Sequence, residues 1–235
     1  MPYLFAPPQQ AVIPVQDERY EFFPVRRVYC AARNYSAHAA EVARPGEVVE
    51  APFFFMKPSD AVVPVADGET VRIAAPEDPE ARLEYEVELV ACLSKGGRNL
   101  TEEEAEACIW GWCVGIDFTR RDRQREMSAK GRPWEVAKAT DRSAPVSHLR
   151  PAYRTPMPAP ADIYLYKNNE KVQSGRTDQM MVSPAGLIVE LSRTWELQPG
   201  DIVFTGTPSG VGPVKKGDVL LAGVNGVGTL RVEIV

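Results

Sequence analysis

A ten-residue stretch, Glu84-Tyr-Glu-Val-Glu-Leu-Val-Ala-Cys-Leu93, sets the strongest constraint on how this chain folds. Its tyrosine, valines and leucines favour a strand, and successive side chains of a strand point to opposite faces. Glu86 and Glu88 then share one face, with Tyr85, Val87 and Leu89 on the other. On a helix the two glutamates would diverge by about 200°. Carboxylates aimed at one point repel unless a cation lies between them or one holds a proton. A hard divalent ion such as Mg²⁺ takes oxygen ligands of this sort. For an isolated Glu-x-Glu the commoner reading is a solvated edge strand with its acids in water, so the rest of the chain has to decide.

The 235 residues suffice for one large domain or two small ones. A hydrophobic fraction of 44% beside a charged fraction of 25% is that of an ordinary globular protein, whose core needs no disulfide or metal to hold it. The net charge of −5 argues against a general nucleic-acid binder. No apolar run approaches the ~20 residues of a membrane span. The start, Met-Pro-Tyr-Leu-Phe-Ala-Pro-Pro, has neither the basic and apolar regions of a signal peptide nor an Arg-rich amphipathic pattern, so the cytoplasm is the expected compartment. Cys30, Cys92, Cys108 and Cys113 form no Cys-x-x-Cys pair and read as small buried residues. Only His38 and His148 can supply imidazole chemistry.

Along the chain, residues 1–24 are proline-rich and read as an arm or small strand pair, packed against a main body over 25–235. Arg26–Ala32 reads as a strand, followed by a helix with Ser36 as its N-cap and Arg44-Pro45-Gly46 as its stop. In that helix His38 and Glu41 lie on one side. Phe53–Met56 and Val71–Ala74 are short strands, and Thr101-x-x-Glu104 is a capping box opening a helix that runs to about Trp110-Gly111. Trp112–Phe118 reads as a strand with Asp117 near its end, and Arg120–Met127 as a charged helix. Pro145–Pro160 reads as an irregular connection. The last third is strand-rich, with a hairpin turn at Asn168-Asn169 and one helix capped by Ser183-Pro184. The segment Thr205-Gly-Thr-Pro-Ser-Gly-Val-Gly212 lacks the Gly-Lys-Ser/Thr ending of a phosphate loop, leaving tight turns or a pocket wall as its two readings.

Six pieces occur in order: Arg33-Asn-Tyr-x-x-His-x-x-Glu41, Phe55-Met-Lys-Pro-Ser59, Glu86-x-Glu-Leu89, Gly115-Ile-Asp-Phe-Thr-Arg-Arg-Asp122, Lys138, and Thr205-Gly-Thr-Pro-x-Gly-Val-Gly212. Together they resemble the fumarylacetoacetate hydrolase family, and within it the acylpyruvate hydrolases, particularly the fumarylpyruvate hydrolases of gentisate breakdown. The resemblance implies an α+β, mostly β fold, a mixed β-roll or sandwich with a few short helices. It also implies a homodimer and a Mg²⁺ or Mn²⁺ ion held by Glu86, Glu88 and Asp117. Three carboxylates without Cys or His suit a hard ion that keeps waters for substrate. Many relatives carry two histidines just before the first metal glutamate, where this chain has Glu84-Tyr85. The segment 36–49 is, by the same resemblance, a candidate lid.

The chemistry implied is hydrolysis of a 3-acylpyruvate. Water attacks the distal carbonyl and a pyruvate enolate leaves, which a metal on the 2-oxo acid end can stabilise. His38 is assigned as general base and Glu41 as its orienting partner. Lys138 is expected in the pocket, beside developing oxyanion charge. Arg121 and Gln124 are candidates for the substrate carboxylate, with Lys57 and Thr207 as further substrate contacts. Arg120, Arg123 and Arg125 read as a solvated charged face, and His148 as a loop histidine. The expected partner is a small 2-oxo acid, not nucleic acid or membrane. Two competing readings are decarboxylation of oxaloacetate or another 2-oxo diacid, which needs no attacking water, and a non-catalytic binding module.

Overall fold

The computed structural model describes residues 3–43, 52–156 and 160–235. Strand exceeds helix among them, in the mixed, mostly β arrangement that the resemblance implies. The largest sheet has the spatial order Phe53–Lys57, Val28–Ala32, Ile202–Phe204, Val87–Leu93, Ile109–Ile116, Ala144–Val146, Val62–Pro64, and Arg150–Pro151 also pairs with Ile109–Ile116. A five-stranded sheet runs Glu170–Arg176, Asp162–Lys167, Val219–Val224, Gly228–Ile234, Thr70–Ile73. Most pairs are antiparallel; three are parallel, among them Ile202–Phe204 with Val28–Ala32.

The Val87–Leu93 strand is buried at every residue because both faces of its sheet are covered. Val87, Leu89, Ala91 and Leu93 enter a core with Ile163, Leu165, Leu220 and Val232 of the five-stranded sheet. Val90 and Cys92 enter a second core with Val28, Cys30, Cys113 and Phe204. Strand alternation puts Glu88 on this second face. Across the ladder from Glu88 stands Gly115. A Cβ there would come within 2.6 Å of the Phe204 ring and 2.7 Å of Val90, so glycine is what lets the Phe204 ring close the sheet at this point. The N-terminal pair Val12–Pro14 and Phe22–Pro24 is antiparallel and seats Ile13 and Phe23 in the same second core.

Several boundaries differ from the sequence expectation. The Glu84–Leu93 strand is broken at Glu86: Leu83–Tyr85 belongs to a small three-stranded sheet and Val87–Leu93 to the large one. The chain changes sheet there because the Val87 N–H bonds a side chain, Gln173 Oε1, at 3.0 Å instead of a neighbouring strand. Ser36 is not the N-cap. Tyr35 takes that place without a side-chain bond, since its bridge to Met180 holds it extended and the Ser36–Val42 helix starts directly after it. The Thr101–Glu104 capping box is formed, but its helix ends at Cys108 and strand begins at Ile109. Pro145 sits inside a short strand paired with Val62–Pro64, so 145–160 is less irregular than its prolines suggest. Asn168 and Asn169 both take positive φ, 52° and 69°, as a tight hairpin turn demands.

All four cysteines are buried and unpaired. The Arg44-Pro45-Gly46 stop and the 44–49 part of the candidate lid lie outside the described residues. Among the described residues no helix is long and apolar enough to cross a membrane.

Candidate active site

Nine of the ten candidate residues line one cavity of about 890 Å³: His38, Glu41, Glu86, Glu88, Asp117, Arg121, Gln124, Lys138 and Thr207. The break at Glu86 keeps the alternation, so Glu84, Glu86 and Glu88 all reach the cavity from one side. Asp117 follows the Ile109–Ile116 strand and donates its N–H to the Glu86 carbonyl at 2.8 Å, which fixes the two backbones together. Glu86, Glu88 and Asp117 each offer an oxygen within 4.8 Å of the others, and all three are buried.

Cations only partly balance this cluster. The Lys138 ammonium donates at 2.7 Å to Glu86 Oε2, to Asp117 Oδ2 and to Thr119 Oγ1. Arg121 binds Glu84 Oε2 through Nε at 2.7 Å and also donates to Glu86 and to the Gln124 side chain. Burial would push the Glu86 carboxyl up, but Lys138 and Arg121 outweigh it and hold Glu86 far below the usual carboxylate range. Burial likewise opposes the charge on Lys138, and Asp117 and Glu86 overcome it, raising its pKa. Glu88 is the exception. Its oxygen accepts the Gly206 N–H at 2.7 Å and meets no cationic side chain among the described residues. Burial, with Asp117 and Glu86 beside it, pushes its carboxyl well above the usual range.

A buried carboxylate facing two others without its own counterion is a site that a divalent cation completes. The all-oxygen donor set suits Mg²⁺ or Mn²⁺. Glu86, Glu88 and Asp117 are the residues that would hold it.

Elsewhere on the lining of the same cavity, His38 Nδ1 lies 3.2 Å from Glu41 Oε2. Glu41 also accepts the Gly210 N–H at 3.1 Å. Burial raises its carboxyl, while the His38 and Gly210 bonds overcome that and lower it, so Glu41 stays ionised beside the imidazole. With Nδ1 turned to Glu41, Nε2 is the ring nitrogen left to exchange a proton. The 205–212 segment proves to be both turn and wall. Gly206 at φ 100° passes so close to Asn34 that a Cβ would lie 2.8 Å from it, and Thr207 and Val211 line the cavity.

Lys57 departs from its expected role. Its ammonium sits behind Asp117, 2.9 Å from Oδ1, and binds the Phe118 and Lys138 carbonyls and Ser143 Oγ. It braces Asp117 from outside the cavity, because its strand pairs with Val28–Ala32 at that register. Arg121 lines the cavity, yet its guanidinium is taken up by Glu84, Glu86 and Gln124 and is not open to grip a substrate carboxylate alone. Here the Glu84-Tyr85 departure has a visible consequence: Glu84 bridges Arg121 and Arg82. His148 is buried away from the cavity, 3.6 Å from Asp67.

Gln173 was not singled out by sequence. Fully buried, it accepts from the Val87 N–H and donates to Thr207 Oγ1 at 2.9 Å and the Pro208 carbonyl at 2.8 Å. One side chain thus ties the carboxylate turn to the opposite loop. With Thr207 Oγ1 accepting from Gln173, the hydroxyl proton remains to donate elsewhere. Gln173→Leu strands the Val87 N–H and the Pro208 carbonyl, and should cost about 1–3 kcal/mol for each group in denaturant unfolding. An unchanged midpoint and slope would show that the two backbones hold without it. The only sequence signal was an amide at a strand position that alternation can bury.

The sequence profile described as "Fumarylacetoacetate (FAA) hydrolase C-terminal" matches residues 27–235. The structure of fumarylpyruvate hydrolase from Pseudomonas aeruginosa, in complex with Mn²⁺ and pyruvate, is 47% identical, superposes with a TM-score of 0.94, and covers 100% of this chain and 99% of its own. A Burkholderia cenocepacia structure with a provisional fumarylpyruvate hydrolase assignment is 38% identical, with a TM-score of 0.87 over 100% of this chain and 98% of its own. The mitochondrial oxaloacetate tautomerase of Mus musculus is 36% identical over 209 residues, 89% of this chain and 91% of that one. Profile, fold and carboxylate cluster agree that the chain belongs to the fumarylacetoacetate hydrolase family of hydrolases and isomerases.

Proposed function

We propose that this chain hydrolyses the C–C bond of a 3-acylpyruvate, and that fumarylpyruvate, split to fumarate and pyruvate, is its preferred substrate. The observation that carries this reading is the placement of the His38–Glu41 pair and the three carboxylates on the walls of one cavity.

A divalent cation, when bound, supplies Lewis-acid stabilisation at the 2-oxo acid end of the substrate. The protein's own groups do the rest. Glu41 holds the His38 imidazole with Nδ1 protonated, and Nε2 takes a proton from the attacking water. The water oxygen bonds to the distal carbonyl carbon, the C–C bond breaks, and its electron pair leaves with the pyruvate fragment, which is then protonated at carbon. Gln124 and Thr207 donate to the substrate carboxylate. Lys138, charged and fixed by Glu86 and Asp117, offers positive charge where oxyanion density grows. A small 2-oxo acid as ligand, a second copy as partner, and neither nucleic acid nor membrane complete this reading.

The test is product analysis of fumarylpyruvate incubated with protein plus Mn²⁺ or plus EDTA. Fumarate and pyruvate in equal amounts, lost with EDTA, are expected. A second reading, interconversion of the enol and keto forms of oxaloacetate, is favoured by the identity to the mouse tautomerase. It gains ground over decarboxylation, and becomes the preferred reading, if fumarylpyruvate is untouched while the oxaloacetate enol signal collapses without release of CO₂.

A further inference from the structure

The helix Arg121–Ala129 presents one face to the cavity: Arg121, Gln124, Arg125, Ser128 and Ala129 all line it. That spacing, i, i+3, i+4, i+7, i+8, is a single helical stripe. Arg121 and Gln124 are buried and Arg125 is exposed, so the stripe climbs from the carboxylate floor toward the mouth. From Arg121 to Arg125 the rise along the axis is about 6 Å.

The basic side chains on and after this helix sort themselves into pairs, with two left over. Arg120 binds Asp122 at 2.9 Å, Arg123 binds Glu126 at 3.1 Å, Lys130 binds Glu126 at 2.7 Å, and Arg121 is held by Glu84 and Glu86. The side chains of Arg125 and Arg132 have no carboxylate or other hydrogen-bond partner among the described residues, and both line the cavity. Of the arginines that read as a solvated face, Arg125 is the one that turns inward.

Arg132 is brought there by the helix end. Gly131 takes φ 59°. Its N–H bonds the Ser128 carbonyl at 3.3 Å, and the Arg132 N–H bonds the Met127 carbonyl at 2.9 Å. This is a Schellman cap, and it folds the chain back toward the cavity. Trp134 Nε1 then donates to Ser128 Oγ at 2.8 Å and pins the return. The Trp134 ring packs on Phe53 at 5.1 Å, so aromatic surface lines the same cavity as the two arginines.

We propose that Arg125 and Arg132 form a subsite for an anionic group at the far end of the acyl chain, with Trp134 and Phe53 flanking that chain. The proposal rests on the acylpyruvate reading and narrows it to substrates bearing a second, distal carboxylate. Arginine suits this role because its fork matches a carboxylate with two parallel bonds. In a chain of net charge −5, two uncommitted guanidinium groups at the mouth also favour entry of a dianion.

The test compares kcat/KM on fumarylpyruvate and on acetylpyruvate, which lacks the distal carboxylate, for the wild type, Arg125→Gln, Arg132→Gln and the double variant, all with Mn²⁺. Loss of one charged hydrogen-bonding group is expected to cost about tenfold on fumarylpyruvate, carried mainly by KM, and the double variant more. Acetylpyruvate turnover should stay within about twofold across the series, which also shows that the variants are folded. Equal falls on both substrates, or no change on either, would overturn the subsite while leaving acylpyruvate hydrolysis standing. Wild-type protein inert toward both diketones would overturn the hydrolase reading and the subsite with it.

Discussion

His38→Ala is expected to lower kcat on fumarylpyruvate by about 10²–10⁴-fold, the usual worth of a positioned general base, while Mn²⁺ binding is unchanged. The separation follows from the architecture. His38 stands on the Ser36–Val42 helix, held by Glu41, and Glu41 in turn by the Gly210 backbone. The carboxylates come from two strand ends fixed by Gln173, Lys57 and Lys138. No hydrogen bond joins His38 to those carboxylates among the described residues, so its removal should leave the ion site intact. Calorimetric titration with Mn²⁺ beside steady-state kinetics makes the check. Wild-type turnover by the variant would remove His38 from the mechanism, and loss of Mn²⁺ binding would show that the two halves of the site are mechanically one.

The second large effect separates two carboxylates that look alike in sequence. Asp117 is held by two buried ammonium groups, Lys57 at 2.9 Å and Lys138 at 2.7 Å. Asp117→Ala leaves both unpaired at that point and should lower metal-free stability by roughly 3–5 kcal/mol. Glu88 has no such partner and faces Glu86 and Asp117. Glu88→Gln keeps shape, relieves the cost of holding a carboxyl against two buried carboxylates, and should leave metal-free stability equal or higher. Both variants should lose the Mn²⁺-dependent stabilisation, read as a rise in Tm, which for wild type at 100 times Kd amounts to about 2.7 kcal/mol. Thermal scans with EDTA and with Mn²⁺ read all four states. A Glu88→Gln protein that is strongly destabilised in EDTA, or that still gains Tm with Mn²⁺, would contradict the assignment of Glu88 as the uncompensated ion ligand.

The carboxylate cluster also shows what could be read from sequence and what could not. That Glu86 and Glu88 converge was legible, because strand alternation is local and survives the break between the two sheets. The break itself was not, since it depends on Gln173, 86 residues away. Thr101 could be recognised as a cap because its partner Glu104 is three residues on. Ser36 misled because a long-range bridge, Tyr35 to Met180, sets the helix start instead. Lys57 belonged to the right motif with the wrong direction: sequence names the residue, but only the register of Phe53–Lys57 on Val28–Ala32 turns it behind Asp117. Among the clustered arginines, composition could not separate Arg121, locked by Glu84, from Arg125, left open toward the cavity. That distinction needs the neighbours of every charge at once.

The central claim is that one cavity directs a water molecule onto a carbon–carbon bond. Turnover of fumarylpyruvate with Mn²⁺ in H₂¹⁸O, followed by mass spectrometry of the released acid, tests it most directly. The account predicts one ¹⁸O atom in the fumarate carboxyl group for each pyruvate formed, and none when EDTA is present. Pyruvate release with unlabelled fumarate, or release of CO₂ in its place, would contradict it.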